Sequence, residues 1–476
     1  MKRLISISVL LLLFVSTMTI GQNDFQNQFY TFREEIRKQY GNYRDSINNA
    51  FAKHLEKSWN KFDINSPLPV PQKPIPQMDV FISGVNSDVS SELAIDSVIQ
   101  QKDSSDELSL WDASGANREN VQNVTVHYFG SELRFHYCPE YTFSINTVEE
   151  KTIASIWKQL SESPYAELIN ELLFYRNDMN LNDWGMYQLL NLIVAEFFPD
   201  RKNEQILFSA FVMNQLGFRM KIGKCEKQLL SLVSSQTPIY GIPFINLGNE
   251  KYYLFEQTNT QSGIYSYQID YPTADKNISL QAKKPFRLAL SLYTRQCTVG
   301  NNTYSINLNR NLIDLFQTYP QTEISVYANT PISSITRKSL EKELLPQLMN
   351  KTEWESVNFL LQFVQTAFEY KNDIQQFGQE KFFFSEELFF YPFSDCEDRS
   401  VLFSQLVRRF LGLQVILLDY PDHVATAVKF NSPIEGDFIN VQGERYIICD
   451  PTYLHAKVGQ SIPRYKKQRA KIYILD

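Results

Sequence analysis

The chain is short of the residues from which metal centres and redox pairs are built. Its 476 residues include five cysteines and five histidines. Cys138, Cys225, Cys297, Cys396 and Cys449 are widely spaced, and no two form a C-x-x-C pair. That spacing argues against a zinc framework, so neither a metal nor a cofactor is expected. The count is odd, so at least one thiol stays unpaired in an oxidising compartment, and sequence alone assigns no pairing to Cys138, Cys225 or Cys297. Long apolar runs are also scarce. The run Leu4–Met18 is too short for a comfortable membrane span, and no later stretch approaches the length one needs. Basic charge is in deficit, 46 Lys and Arg against 53 Asp and Glu. A nucleic-acid partner therefore has no electrostatic footprint.

What is present at the N-terminus is a pair of cations, Lys2 and Arg3, then that apolar run, then Thr19-Ile20-Gly21 with small side chains near a cut. This reads as a cleavable secretory signal over residues 1–21. Losing Lys2 and Arg3 leaves 44 basic against 53 acidic side chains, a net charge of −9. The expectation is an exported protein, periplasmic or secreted, that does not span a membrane.

From Phe25 to Phe62 the apolar residues recur every three or four positions, which predicts one long amphipathic helix, or two joined near Gly41. Its stripe either packs on the rest of the chain or binds a protein partner. Pro67–Pro76 predicts a stiff spacer, and the polar stretch from Ser83 to about Gln122 predicts disorder. Val124–Ile145 alternates like a β-hairpin. Helices are expected over Thr147–Phe174 and Trp184–Phe198. Strands follow from Ile264 to about Ser334, with A-L-S-L-Y and T-E-I-S-V-Y among them, and the last 130 or so residues give helices and then strands.

One internal similarity orders these segments. L-F-S-A-F-V-M-N-Q-L-G-F (Leu207–Phe218) and L-F-S-Q-L-V-R-R-F-L-G-L (Leu402–Leu413) are equal in length and share Leu-Phe-Ser, Val and Leu-Gly in register. Each follows a tryptophan-led helix, beginning near Trp184 or Trp354. Each precedes strands that end in Y-Y-L-F-E-Q or R-Y-I-I-C-D-P. A tandem duplication explains the three matches in order.

The second copy carries candidate chemistry. Cys396 lies where its helix begins, with Ser394 or Asp395 placed to cap it, and the positive end of a helix dipole favours a thiolate. D-H-V-A-T-A-V-K-F begins an alternating strand at His423, and an imidazole is the base such a nucleophile needs. A further strand ends at Asp450, whose carboxylate can hold the imidazole in one tautomer. Cys449 points to the other face and reads as a core thiol. In the first copy Arg201 occupies the cysteine position, no histidine lies between His136 and His423, and only Glu256 stands near the place of the acid. That copy is expected to fold without catalysing.

These pieces, S-D-C-E-D-R, L-V-R-R-F-L-G-L, D-H-V-A-T-A-V and C-D-P-T-Y, resemble the transglutaminase-like superfamily, relatives of the papain-fold cysteine peptidases, over about Trp354–Tyr453. The resemblance implies an α+β fold with a duplicated transglutaminase-like (cysteine-proteinase-like) domain. It also implies Cys396 as nucleophile, His423 as base and acid, and Asp450 as orienting group. The reaction implied is acyl-thioester formation on peptide or isopeptide amides, with hydrolysis slightly favoured over transfer to an amine. Two departures, Ser394-Asp395 before the cysteine and Val424 after the histidine, leave the acceptor open. The expected layout is a signal at 1–21, the long helix at 22–65, a linker at 66–122, a degenerate domain at 123–262, a β-rich domain at 263–345 and the catalytic domain at 346–476. A scaffold that binds a protein partner through the long helix, and a structural disulfide at Cys396, are the alternatives.

Overall fold

The computed structural model describes residues 22–73, 77–82, 90–100, 122–256 and 263–476. The expected signal, and much of the stretch expected to be disordered, lie outside them. The chain divides into two compact units: one reaches to Ser58 and includes Glu149–Ser163, the other holds Trp59–Val148 and Pro164–Asp476.

In the first unit, helix α1 (Gln22–Leu55) runs unbroken through Gly41. It stops at Leu55 rather than Phe62, just after Lys53 and His54, cations suited to a helix C-terminus. Helix α2 (Glu150–Glu162) buries Ile153, Trp157 and Leu160. The Phe51 and Trp157 rings meet with centroids 4.9 Å apart, and the indole N–H of Trp157 donates to the buried Asn48 side chain at 3.2 Å. This contact places α2 with α1 and not with the lobe to which its sequence position assigned it.

In the second unit, β1 (Asn60–Phe62) and β2 (Ile95–Gln100) are edge strands contributed by the segments that read as helix end and disordered linker. The hairpin β3 (Gln122–Tyr128) and β4 (Ser131–Tyr137) forms as expected. Its two-residue turn has positive φ at both Phe129 and Gly130, the I′ geometry that matches strand twist. A β-carbon on Gly130 would come within 2.2 Å of the Asn311 side chain, so glycine is required there.

Helices α3 (Tyr165–Asp178), α4 (Asp183–Phe197) and α5 (Lys202–Gln215) follow. Strands β5 (Met220–Cys225), β6 (Gln228–Ser234), β7 (Phe244–Leu247), β8 (Glu250–Leu254) and β9 (Ile264–Ser266) come next. With β1 they form a six-stranded sheet in the order β1-β9-β5-β6-β8-β7.

Next come the hairpin β10 (Leu292–Val299) and β11 (Asn302–Asn309) and helices α6 (Arg310–Phe316), α7 (Ile324–Asn329) and α8 (Ser334–Leu348). No separate β-rich domain exists at 263–345. T-E-I-S-V-Y leads into the short helix α7, which takes up its last four residues and is buried at all six of its positions; a short, fully buried run has no periodicity to tell helix from strand. Ile306 and Leu308 of the hairpin and Leu340 and Leu344 of α8 share one core with Leu360, Leu402 and Leu406. The segment is therefore a wall of the C-terminal lobe.

That lobe begins with α9 (Glu353–Thr366). Thr352 and Glu355 close the start of this helix reciprocally: the Glu355 N–H donates to the Thr352 hydroxyl at 3.2 Å, and the Thr352 N–H donates back to the Glu355 carboxylate at 2.8 Å. Short elements follow: β12 (Glu369–Tyr370), α10 (Asp373–Phe377), α11 (Ser385–Phe390) and β13 (Phe393–Ser394). Then come α12 (Cys396–Leu411) and strands β14 (Gln414–Tyr420), β15 (His423–Lys429), β16 (Phe438–Val441), β17 (Glu444–Cys449) and β18 (Ala470–Ile474).

The second six-stranded sheet has the order β2-β18-β14-β15-β17-β16. Taken in chain order within each lobe, the two sheets repeat one arrangement: the preceding edge strand, then the last, first, second, fourth and third strands. They differ at one edge, where β2 pairs with β18 in parallel and β1 pairs with β9 antiparallel. One face of the second sheet, with Val415, Val428, Ile447 and Cys449, packs under Leu402 and Leu406 of α12. The opposite face buries Ile416, Leu418, Ala425, Ala427 and Ile448. Alternation along β15 puts His423 on this second face.

Candidate functional site

Cys396 is the first residue of α12 and is wholly buried. Asp395 holds the N-cap position, but its side chain accepts no hydrogen bond from the helix. The start is fixed by Asp398, whose carboxylate accepts the Asp395 N–H at 3.4 Å, and by Arg399, whose guanidinium donates to the Ser394 hydroxyl at 3.0 Å and to the carbonyls of Gln365 and Phe368 at 3.1 and 2.8 Å. The Cys396 thiol is buried and unbridged, so it is not half of a disulfide.

His423 begins β15 and Asp450 follows β17, two strands that pair directly. The His423 Nε2 and an Asp450 carboxylate oxygen lie 2.8 Å apart, with the two side chains only 3% and 2% exposed. The other carboxylate oxygen accepts the Thr452 N–H at 3.0 Å and its hydroxyl at 2.8 Å. Burial pushes the Asp450 carboxyl up. The charge of His423 and the bonds from His423 and Thr452 outweigh that and hold it below the usual carboxylate range. The imidazole is clamped on its flat side by Tyr465, stacked at 4.9 Å and 13°. Gln365 braces the turn after Asp450, donating to the carbonyls of Asp450, Tyr453 and Ala456 at 3.1, 2.8 and 3.1 Å.

Cys396 meets this pair through the residue next to the histidine. The Val424 N–H hydrogen-bonds the thiol sulfur, and the Val424 carbonyl accepts the Ser400 hydroxyl at 3.1 Å. The helix start is thereby tied to the beginning of β15. The thiol itself donates to the Glu397 carboxylate at 2.8 Å. Among the described residues, no hydrogen bond joins it to the His423 ring.

Its electrostatics run against the helix-dipole expectation. Burial, then the Glu397 and Asp395 carboxylates, push the Cys396 thiol well above its ordinary range. A dipole worth about 0.3–1 kcal/mol does not offset complete desolvation beside two acids. The same pocket collects Asp373, pushed up to about 8 by burial and then by Glu397, and Glu380, pushed up to about 7 by the same two causes.

The structure thus brings His423 and Asp450 into a bonded pair and sets Cys396 against the adjoining backbone. Cys449 faces the α12 side, as a core thiol should. Sequence reasoning missed Thr452, Tyr465 and Gln365, which appear as ordinary polar residues. It also missed Lys73, in the segment read as a spacer. Lys73 is buried, its N–H donates to Glu380 at 3.2 Å, and its ammonium bonds Asp419 at 2.6 Å and the Tyr420 carbonyl. A signal for the acidic surroundings was in view: S-D-C-E-D places acids on both sides of the cysteine.

In the first lobe, Arg201 and Glu256 make structural contacts. Arg201 donates to the Phe143 carbonyl at 3.0 Å and lies over the Phe198 ring. The Glu256 carboxylate accepts the Ser231 N–H at 2.8 Å, the role of a strand-end cap and not of an imidazole holder. Among the described residues no helix is long and apolar enough to cross a membrane. Comparison of the chain with protein-family models, with curated proteins and with solved structures finds no match, so the reading of this site rests on its own geometry.

Proposed function

We propose that the C-terminal lobe is a thiol acyl-transfer domain of transglutaminase-like type, the active one of two copies of a single fold. In this reading Cys396 attacks an amide carbonyl, His423 takes and returns the proton, and Asp450 fixes the imidazole tautomer. The acyl-thioester then passes to water or an amine, and the protein works after export. One observation carries the reading: a buried His423–Asp450 pair, bonded at 2.8 Å and locked by Thr452, beginning the strand whose next residue binds the Cys396 sulfur. With Nε2 held by Asp450, Nδ1 is the nitrogen that remains for the thiol. A buried pair costs several kcal/mol of desolvation, an arrangement a purely structural strand end does not need. The shared strand order of the two sheets supports the duplication. The thiol is bonded to Glu397, and alternation puts His423 on the sheet face opposite the one α12 covers, so this is a resting arrangement and the reading requires a rearrangement at the start of β15 that brings Sγ and Nδ1 together.

That same bond favours a second reading, a non-catalytic scaffold that binds a protein partner through α1, with Cys396 as a buried core thiol. The two separate on acylation of the native protein by p-nitrophenyl acetate, followed by intact mass and peptide mapping. A hydroxylamine-labile acyl group on Cys396, absent in Cys396→Ser and formed at least tenfold more slowly in His423→Ala, supports the enzyme. Adduct on Cys396 only after denaturation refutes it and leaves the scaffold.

A further inference from the structure

Beside the thiol lies a group of side chains that the proposed reaction does not use. Asp373 at the start of α10, Glu380 in the loop before α11, Asp395 and Glu397 each bring a carboxylate oxygen to one place, all four within 4.8 Å of one another. All four residues are buried. Acidic clusters are common, and this one is set apart by what its oxygens lack. Asp395, which is 0% exposed, meets only the neighbouring Glu397 carboxyl within the group, and Glu397 Oε1 and Glu380 Oε2 have no donor aimed at them. The remaining contacts lead away from the group: Asp373 accepts the Lys381 N–H at 2.7 Å, Glu380 the Lys73 N–H at 3.2 Å and Glu397 the Cys396 thiol at 2.8 Å. The two nearby ammonium groups bond acids outside the group, Lys381 to Glu387 at 2.8 Å and Lys73 to Asp419 at 2.6 Å, and the Lys73 ammonium reaches Glu380 and Glu397 only through its charge. Buried carboxylate oxygens without donors are expensive, about 1–3 kcal/mol each and more when charged. A chain keeps them together where something fills the space between them.

We infer that Asp373, Glu380, Asp395 and Glu397 form a binding site for one hard divalent cation. The donor set is all oxygen, which suits calcium, magnesium or manganese and disfavours soft or thiophilic metals. Oxygens lying across an ion at 2.3–2.6 Å are about 4.6–5.2 Å apart, whereas the 2.0–2.1 Å shell of magnesium spans only about 4.1 Å. Separations of up to 4.8 Å admit the larger ion, and an all-carboxylate set without fixed octahedral geometry suits calcium better than magnesium. The three segments that supply the ligands, the α10 start, the loop after it and the α12 start, are tied by the Lys381 N–H to Asp373 and by the Phe383 N–H to Asp398 at 3.1 Å, and the cation adds a further cross-link among them. The site stands whether or not Cys396 is catalytic.

The test uses the full chain, stripped with EDTA and dialysed, then titrated with CaCl2, MgCl2 and MnCl2 by isothermal calorimetry and by thermal unfolding. The expected result is one saturable site per chain, tighter for Ca2+ or Mn2+ than for Mg2+, with a matching rise in Tm. Asp395→Asn and, separately, Glu397→Gln should weaken binding at least tenfold while far-UV circular dichroism stays native. Both substitutions remove repulsion from the metal-free state, so the variants are expected to fold. No heat and no Tm shift in the native chain up to about 10 mM, well above the range of weak calcium modules, overturns the site and leaves protons shared among the carboxyls. A cation response that persists unchanged in both variants overturns it as well.

Discussion

Replacing Asp450 with asparagine isolates what its charge does. The shape is kept, and Oδ1 still accepts the Thr452 N–H and hydroxyl, which lie at 3.0 and 2.8 Å. The new amide then presents N–H to His423 Nε2 at the former 2.8 Å contact. Two donors cannot face each other, so the ring gives up its Nε2 proton and carries it on Nδ1. That is the wrong tautomer for accepting a proton from Cys396, and acylation by p-nitrophenyl acetate should fall by about 10³–10⁴. The stability loss follows from one charge-assisted bond replaced by a neutral one, about 2 kcal/mol at pH 7. The pH dependence carries a sign of its own. Asp450 titrates below its ordinary value in the fold, so its contribution is complete above the unfolded carboxyl pKa, near 4, and is lost as pH falls through the lower folded value. Urea unfolding should therefore separate native protein from Asp450→Asn at pH 7 and bring them together toward pH 3. An equal gap at both pH values would show that the pair is not ionised, and unchanged acylation at pH 7 would remove His423 from the reaction.

Three further substitutions probe the frame around the site. Glu386 is buried, accepts the Ser333 N–H at 2.6 Å, and is pushed up to about 7, first by burial. An acid raised in this way costs nothing below the unfolded pKa and most above the folded one. Glu386→Gln should leave stability near pH 4 unchanged and raise it at pH 8 by as much as about 3 kcal/mol; the same change at both pH values in urea titrations would disprove the shift. Gln365→Leu strips three buried carbonyls of their donor and should cost about 2–4 kcal/mol, with acylation falling more than in Val364→Ala, a neighbouring core truncation; equal acylation in the two would deny Gln365 its bracing role. Gly130→Ala sets a β-carbon 2.2 Å from Asn311 at φ +81° and should lower stability by about 2 kcal/mol or more, while Gly130→Ala with Asn311→Ala recovers part of the loss; no recovery would mean that backbone strain alone sets the cost.

Elements with strong periodicity were legible in the sequence. Helix α1, the β3–β4 hairpin, the tryptophan-led helices and the strands that end the C-terminal lobe all announce themselves by spacing of three and four or of two. What escaped was settled by partners far away along the chain. Ile95–Gln100 is too polar to read as a strand, yet it pairs along the exposed edge of β18, where main-chain hydrogen bonds matter more than side-chain burial. T-E-I-S-V-Y has β-branched residues at the right places for a strand, but enclosure by the C-terminal core makes every side buried and removes the alternation. At the site, Cys396, His423 and Asp450 could be picked from local context. Their electrostatics could not, because the acids that surround the thiol arrive from Asp373 and Glu380 as well as from its own helix.

The two lobes separate what the fold requires from what the site adds. Both keep Leu-Phe-Ser buried in the helix that covers the sheet, and both keep the same strand order, so those features belong to assembly. At the helix start the lobes part. Arg201 turns outward to a carbonyl and a ring face, a cheap way to end a connection. The C-terminal lobe instead buries Asp395, Cys396, Glu397 and Asp398 in succession, three acids and a thiol with little water. Capping accounts for Asp398, which accepts the Asp395 and Phe383 N–H groups at 3.4 and 3.1 Å, but it does not account for burying Asp395 and Glu397 beside it. The expense is concentrated within one helical turn of Cys396, at the helix start that Val424 ties to β15. A second sheet of the same strand order, two hundred residues earlier, assembles without these groups, which is why the proposed thiol chemistry and cation site are sought in them rather than in the packing.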